Sequence, residues 1–213
     1  MSVERATGII LRTRSLTETS LIVQWLTPSC GRIATVAKGA RRPKSPFRGK
    51  LDIFFSADFS FQRSRRSELH QLREVVLRDS HIALRQDIER LQMAAYAAAL
   101  IEQSTETDTP LPGPFRLLNE WLDHLGRNPS STSVLFAFEI KLLDELGLRP
   151  DFATANLSAG TKQILARCAQ DSWETVTRLK LSAAQDREIR QFLHGFLIDH
   201  LGRIPAGRPG MPS

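Results

Sequence analysis

The residues whose types could do chemistry gather in one short stretch. Lys38, Arg41, Arg42, Lys44, Arg48 and Lys50 fall within Lys38-Gly39-Ala40-Arg41-Arg42-Pro43-Lys44-Ser45-Pro46-Phe47-Arg48-Gly49-Lys50, and no acidic residue lies among them. Cations at this density repel one another, and a line of phosphates is the counter-charge that would quench them, with released counterions supplying affinity. The arginines could chelate phosphate oxygens at two points, while the lysines act as point charges. Gly39 and Gly49 would let the backbone come close to a ligand. Phe47 sits among these cations and prolines, placed either to stack on a base or to pack beneath the loop. A second basic group, Arg63, Arg65 and Arg66, lies in Gln62-Arg63-Ser64-Arg65-Arg66-Ser67. Arg14 lies farther upstream. A charge run can also be no more than a solvated loop, and that reading stands beside the first.

Other chemistry is missing from the sequence. No Walker phosphate loop occurs, and no GxGxxG follows a strand. His70, His81, His124, His194 and His200 are scattered, with no HxxxH or HExxH pair. Cys30 and Cys168 are the two cysteines, too few for a cysteine zinc site or a disulfide framework. No catalytic residue, metal or cofactor is expected.

The elements that must position the cations follow from periodicity. Gly8–Thr13, Leu21–Leu26 and Arg32–Ala37 read as strands rich in β-branched residues, with Thr27-Pro28-Ser29-Cys30-Gly31 as a turn. A fourth strand is expected over Ile53–Gln62, where Phe55, Ala57, Phe59 and Phe61 share one parity. A fifth is expected over Leu69–Leu77. Five short strands in about 80 residues suggest a small barrel, and the oligonucleotide-binding fold is such a closed sheet; a small sandwich is the alternative. In that fold the hairpin holding Arg63–Arg66 and the loop beside Arg14 flank the binding face.

Beyond residue 80 the texture is helical. Leu84, Ile88, Leu91, Ala95 and Ala99 recur at helical spacing in His81–Ser104, and Thr105–Gly113 reads as a linker. Further helices are expected over Pro114–Gly126, over Val134–Leu146 capped by Ser133, and over Ser182–Leu201 with Ser182 and Gln185 in capping-box spacing. A short helix near Thr161–Ala169 is the one element expected in Asp151–Leu181. The fold class is therefore α+β: a five-stranded barrel over 1–80, a helical domain over 81–204, and a flexible tail over 205–213.

Charge follows the same division. Residues 1–80 carry 15 Lys+Arg against 7 Asp+Glu, and the remainder 14 against 16. The excess positive charge of the chain thus lies with the strands, which points to a polyanionic partner for that module. The longest apolar run, Met93–Ile101, is too short to span a bilayer, and the N-terminus has no apolar signal region. A cytoplasmic location without membrane contact is expected.

Several stretches resemble the RecO family of bacterial recombination mediators. They are Gly8–Leu21 with its Glu18-Thr19-Ser20, then Trp25-Leu26-Thr27, Gly31-Arg32, and Val36–Arg42 with its Ala37-Lys38-Gly39-Ala40-Arg41. The likeness continues through Phe47–Leu51 and returns in Phe138–Phe152, which carries Leu146-Gly147-Leu148-Arg149-Pro150. The resemblance implies an oligonucleotide-binding barrel followed by helices. It implies binding of single- and double-stranded DNA, annealing of complementary strands, and help in loading the strand-exchange recombinase onto DNA coated by single-strand-binding protein. RecR and the acidic tail of single-strand-binding protein would be partners, at the nucleoid. By position, Lys38, Arg41 and Arg42 fall on the family's DNA-contacting loop. Many members carry a four-cysteine zinc module after that proline; here Asp151–Leu181 is short and keeps Cys168, so the module is expected to be reduced or absent. An adaptor that docks an acidic protein segment, or an RNA-binding barrel protein, are the alternative functions.

Overall fold

A computed structural model describes residues 3–210. It divides into two compact units, one holding the strands together with Thr105–Asn119, the other holding Ala83–Ser104 and the chain from Glu120 onward.

In the first unit five strands, β1 (Val3–Ser15), β2 (Leu21–Thr27), β3 (Gly31–Ala37), β4 (Ser56–Gln62) and β5 (Leu69–Asp79), close in the order β1-β2-β3-β5-β4. All neighbours are antiparallel except β3 and β5. β1 is longer than Gly8–Thr13 because it serves two partners. Val3–Ile9 pairs with β4, and Ile9–Ser15 pairs with β2, with a register break between Ile10 and Arg12. Gly8 sits where the partners change, and a Cβ there would lie 3.0 Å from both the Leu26 carbonyl oxygen and the Phe59 ring. A side chain at that point would push the two strands apart.

The interior is lined by alternate residues, Ile10, Val23, Trp25, Ile33, Ala57, Phe59 and Phe61 among them. Trp25 stacks on Phe59 at 4.0 Å between centroids, and its indole N–H donates to Thr35 Oγ1 at 2.8 Å. The parity read for β4 does line the core, but Ser56 and Ser60 on the opposite parity, expected to be wet, are buried as well, and the strand begins at Ser56 rather than Ile53. The cause is a turn: Phe55 N–H donates to Asp52 O, and Phe54 takes φ of 66° while its N–H reaches Ile10 O at 2.7 Å. The expected linker is partly structured too. Thr107 bridges to Arg32, Asp108 N–H donates to Arg32 O, and Leu111 N–H donates to Pro28 O.

The second unit is helical: α1 (Ile88–Ser104), the end of α2 (Pro112–Arg127), α3 (Thr132–Glu145), α4 (Ala159–Gln170), α5 (Trp173–Thr177) and α6 (Ala183–Leu201). A 3-10 turn, Ile82–Gln86, precedes α1. The single helix expected from His81 is therefore broken. Asp87 breaks it, its carboxylate accepting Glu89 and Arg90 N–H and starting a new helix. The apolar row shifts with it: Met93, Ala94, Ala97 and Ile101 are buried, whereas Ile88 is 66% exposed and Ala95 faces solvent.

α3 is buried from Ser133 through Ile140. Its cap is Ser131, not Ser133, whose hydroxyl instead donates to Val176 O. The segment 151–181 holds two helices where one was expected, and α5 was not foreseen. Lys141 ties them to α3, donating from Nζ to Ala169 O and Asp171 O at 3.0 Å each. Cys168 is buried, its thiol pushed up to about 12 by loss of water. The Ser182–Gln185 capping box of α6 is formed.

The tail departs from expectation. Arg208 is buried and forms a two-point ion pair with Glu139, while Arg190 donates to Pro209 O. Arg208 anchors the segment, while Ala206, Gly207 and Gly210 are exposed; the rest of the tail, residues 211–213, lies outside the described residues.

Candidate nucleic-acid interface

The basic loop after β3 is a chain of turns. Arg42 N–H donates to Gly39 O, Ser45 N–H to Arg42 O, Arg48 N–H to Ser45 O, and Lys50 N–H to Phe47 O. Gly39 and Gly49 take φ of 69° and 72°, so both are required by the turns themselves. The loop is also pinned to the β1–β2 turn, through Arg41 N–H to Thr19 O at 3.0 Å and Gly39 N–H to Ser20 Oγ at 3.4 Å. Its anchor is Phe47, 7% exposed and packed in the barrel core. Of the two placements considered for Phe47, the ring takes the one beneath the loop, where its apolar surface is withdrawn from water, although it still lines the hollow that holds Arg41, Arg42 and Arg48.

With that anchor in place the charged side chains turn outward. Lys38, Arg41, Arg42, Lys44 and Arg48 are exposed, and Lys50 half-buried. Arg41 donates to Ser15 Oγ and Arg48 to Pro43 O. Among the described residues none of the six pairs with a carboxylate.

Three hollows join these side chains. The largest, about 740 Å³, lies between Lys38 and the β4–β5 hairpin, and includes Arg63, Arg65, Arg66, Leu16 and Val36. The second, about 400 Å³, shares Lys38, Leu16 and Val36 with it and adds Gly39 and Arg42. The third, also about 400 Å³, shares Arg42 and adds Arg41, Pro43 and Arg48. Lys38 and Arg42 therefore link the three into one cation-lined track. Arg14, Lys44 and Lys50 line none of the three.

Arg63 requires a correction. It lies in the track, but its Nε meets Glu4 Oε1 at 3.0 Å and its Nη1 meets Asp108 Oδ1 at 2.7 Å. Two carboxylates already hold this guanidinium, so it contributes no free positive charge. Beside it His70 is buried and stacked on Phe61. Burial holds the imidazole below its ordinary value, and the Arg63 charge adds to the effect. Its Nδ1 accepts from Ser64 N–H at 3.4 Å, which fits a neutral ring. Neither His70 nor Asp108 could be placed here by spacing, since His70 carries no motif and Asp108 arrives from a segment 45 residues away.

A different hollow, about 640 Å³, is lined by Arg5, Thr7, Asp58 and Glu74 with Val76. Its carboxylates are engaged, Asp58 with Thr7 and Arg78, and Glu74 with Ser60. A hollow of mixed charge suits a polyanion less well than the cation track does.

A closed five-stranded barrel of this strand order, with basic loops gathered on it, defines an oligonucleotide-binding-fold protein with a helical second unit. Residues 1–81 match the family described as recombination protein O N terminal, and residues 85–155 the one described as recombination protein O C terminal. The chain belongs to the RecO family. It is 30% identical to the DNA repair protein RecO of Bacillus pumilus (strain SAFR-032), over 94% of this chain and 80% of that protein. It is 28% identical to the DNA repair protein RecO of Anaeromyxobacter sp. (strain K), over 96% of this chain and 94% of the other. The Bacillus subtilis (strain 168) protein of the same name is 32% identical, over 68% of this chain and 56% of its own length.

Among the described residues, no helix is long and apolar enough to cross a membrane.

Proposed function

We propose that this chain is a DNA-binding recombination mediator in DNA repair, holding the phosphates of single- and double-stranded DNA along the cation track of its barrel. The observation that carries the reading is the track itself: three hollows joined through Lys38 and Arg42 and lined by cations that, Arg63 apart, have no carboxylate partner among the described residues. Lys38, Arg41, Arg42, Arg48, Arg65 and Arg66 make the phosphate contacts, with Lys44, Lys50 and Arg14 extending the field at its margins. Phosphate contacts of this kind set affinity and carry little sequence preference. Neutralising two strands at once lowers their repulsion and lets complementary strands anneal, with no covalent step and no cofactor. The name shared by the relatives supports the repair role. Loading of the recombinase onto DNA coated by single-strand-binding protein, contact with RecR and with that protein's acidic tail, and a cytoplasmic, nucleoid-associated location complete the proposal.

The test is strand annealing, with and without bound single-strand-binding protein, for the native chain and for K38A/R41A/R42A. The triple variant is expected to anneal poorly, and its duplex affinity should lose about 2–3 from the salt slope, at ~0.9 per phosphate. Unchanged annealing and salt slope in a folded triple variant would refute the reading.

A further inference from the structure

A nucleic-acid strand offers phosphates and bases, and cations answer only the first. Phe47, the aromatic residue of the basic loop, is committed to the core. Leu21, Ala40 and Leu51 line the third hollow but are half-buried, and the most exposed large hydrophobic residue on the track is Leu16. It stands on the β1–β2 turn, 45% exposed, and it lines both hollows that contain Lys38. In the larger hollow it shares the wall with half-buried Val36 and Leu69, an aliphatic patch set among Lys38, Arg65 and Arg66.

The exposure of Leu16 does not come from a loose loop. Its N–H donates to Ser20 O at 2.9 Å, and Thr17 Oγ1 accepts Ser20 N–H at 3.1 Å. Arg41 N–H, from the basic loop, fixes Thr19 O. The residues around it, Ser15, Thr17, Glu18, Thr19 and Ser20, are the polar types that turns favour, so the leucine is the exception. Single exposed apolar residues are ordinary on protein surfaces. This one stands on a hydrogen-bonded turn at the junction of two cation-lined hollows.

We propose that Leu16 covers the face of an unstacked base and is the residue by which the track favours single strands over duplex. The inference rests on the DNA-binding reading above. In a duplex the base faces are stacked on one another, and only phosphates and groove edges meet the protein. In a single strand a base can swing onto the Leu16, Val36 and Leu69 patch while its flanking phosphates meet Lys38, Arg65 and Arg66. Apolar surface is then withdrawn from water on both partners, without regard to base identity.

The experiment compares Leu16→Ala with the native chain, titrating a mixed-pyrimidine single strand and a blunt duplex of equal length at several salt concentrations. The L16A variant should lose about fivefold in single-strand affinity, at the lower end of what base-covering side chains supply. Its duplex affinity should stay within about twofold and both salt slopes should be unchanged, since no phosphate contact is lost. Leu16→Phe should tighten single-strand binding, and a 2-aminopurine in the strand should be perturbed by the native chain and not by L16A. Equal losses on both substrates, or no loss on either, overturn the assignment. K38A/R41A/R42A in parallel separates the two claims: if it weakens both substrates while L16A changes neither, the DNA-binding reading stands and the Leu16 proposal falls. If the native chain binds neither substrate, both fall.

Discussion

Arg208 and Glu139 meet as a two-point ion pair, Nε to Oε1 at 2.8 Å and Nη2 to Oε2 at 2.7 Å, with both side chains withdrawn from water. Tyr96 donates its hydroxyl to the same Oε1 at 2.6 Å, so the carboxylate is satisfied from α1 and from the tail at once. Breaking a buried pair by removing one partner leaves the other charge uncompensated. Arg208→Ala is therefore expected to cost about 3–5 kcal/mol, read by urea unfolding. Arg208→Met combined with Glu139→Leu and Tyr96→Phe should recover much of that loss, because neither a lone charge nor an unpaired buried hydroxyl then stays behind. A single variant as stable as the native chain would show that the tail is not held by this contact.

Phe47 separates two roles for an aromatic side chain in a basic loop. As an anchor it should tolerate another apolar residue of similar size and not a small one. Phe47→Ala is expected to destabilise the barrel by about 3–5 kcal/mol, as for other buried aromatics. Phe47→Leu should keep both most of the stability and the single-strand affinity. Loss of DNA affinity in a stably folded Phe47→Leu protein would return the ring to a stacking role.

Much of the barrel was legible because its signals are local. The alternation of Ala57, Phe59 and Phe61, the turn at Thr27–Gly31, and the Ser182–Gln185 box are each written within a few residues. The cations of the basic loop were legible for the same reason. What could not be read depends on partners distant in sequence. Arg63 and Arg65 are alike in local sequence, and only the fold brings Glu4 and Asp108 to Arg63. Phe47 could go under the loop or out of it, and the outcome is decided by space left in the barrel core. Asp87 as a helix start hid inside a run whose apolar spacing continued across it. Leu16 gave no signal, since one leucine in a polar turn has no period.

His70 gives the barrel a pH dependence with a definite sign. Its folded value lies below the ordinary 6.5, by burial first and by the Arg63 charge second, with Asp108 and Glu4 opposing. The unfolded chain then binds more protons than the native one in the window from 6.5 down to the folded value, so stability falls with acidification there. Above 6.5 the ring is neutral in both states and contributes no slope. His124 is lowered in the same direction by burial, so the whole-chain curve carries both histidines. His70→Gln should reduce the steepness of denaturation midpoint against pH between about 7 and 5. An identical profile for the two proteins would remove His70 from the explanation.

Asp108 limits the charge of the cation track, if the DNA-binding reading holds. With Glu4 it engages Arg63 at the rim of the largest hollow, at 37% and 43% side-chain exposure for Arg63 and Asp108. At such exposure the pair contributes little to stability, about 0–1 kcal/mol after screening by water and salt. Its effect on a polyanion is larger, because one carboxylate both neutralises a guanidinium and repels approaching phosphate. Asp108 takes φ of 57°, a conformation that asparagine tolerates as well as aspartate does, so Asp108→Asn removes the charge without adding backbone strain. The variant is expected to bind duplex DNA more tightly at low salt, because one repelling carboxylate is gone, and to add up to ~0.9 to the salt slope, at most one further phosphate engaged by Arg63, which keeps Glu4 as its remaining carboxylate partner. Adding Arg63→Ala to it should bring the slope back to the native value. If Asp108→Asn leaves affinity and slope as they were, Arg63 stays bound to Glu4 and the track ends at Arg65 and Arg66.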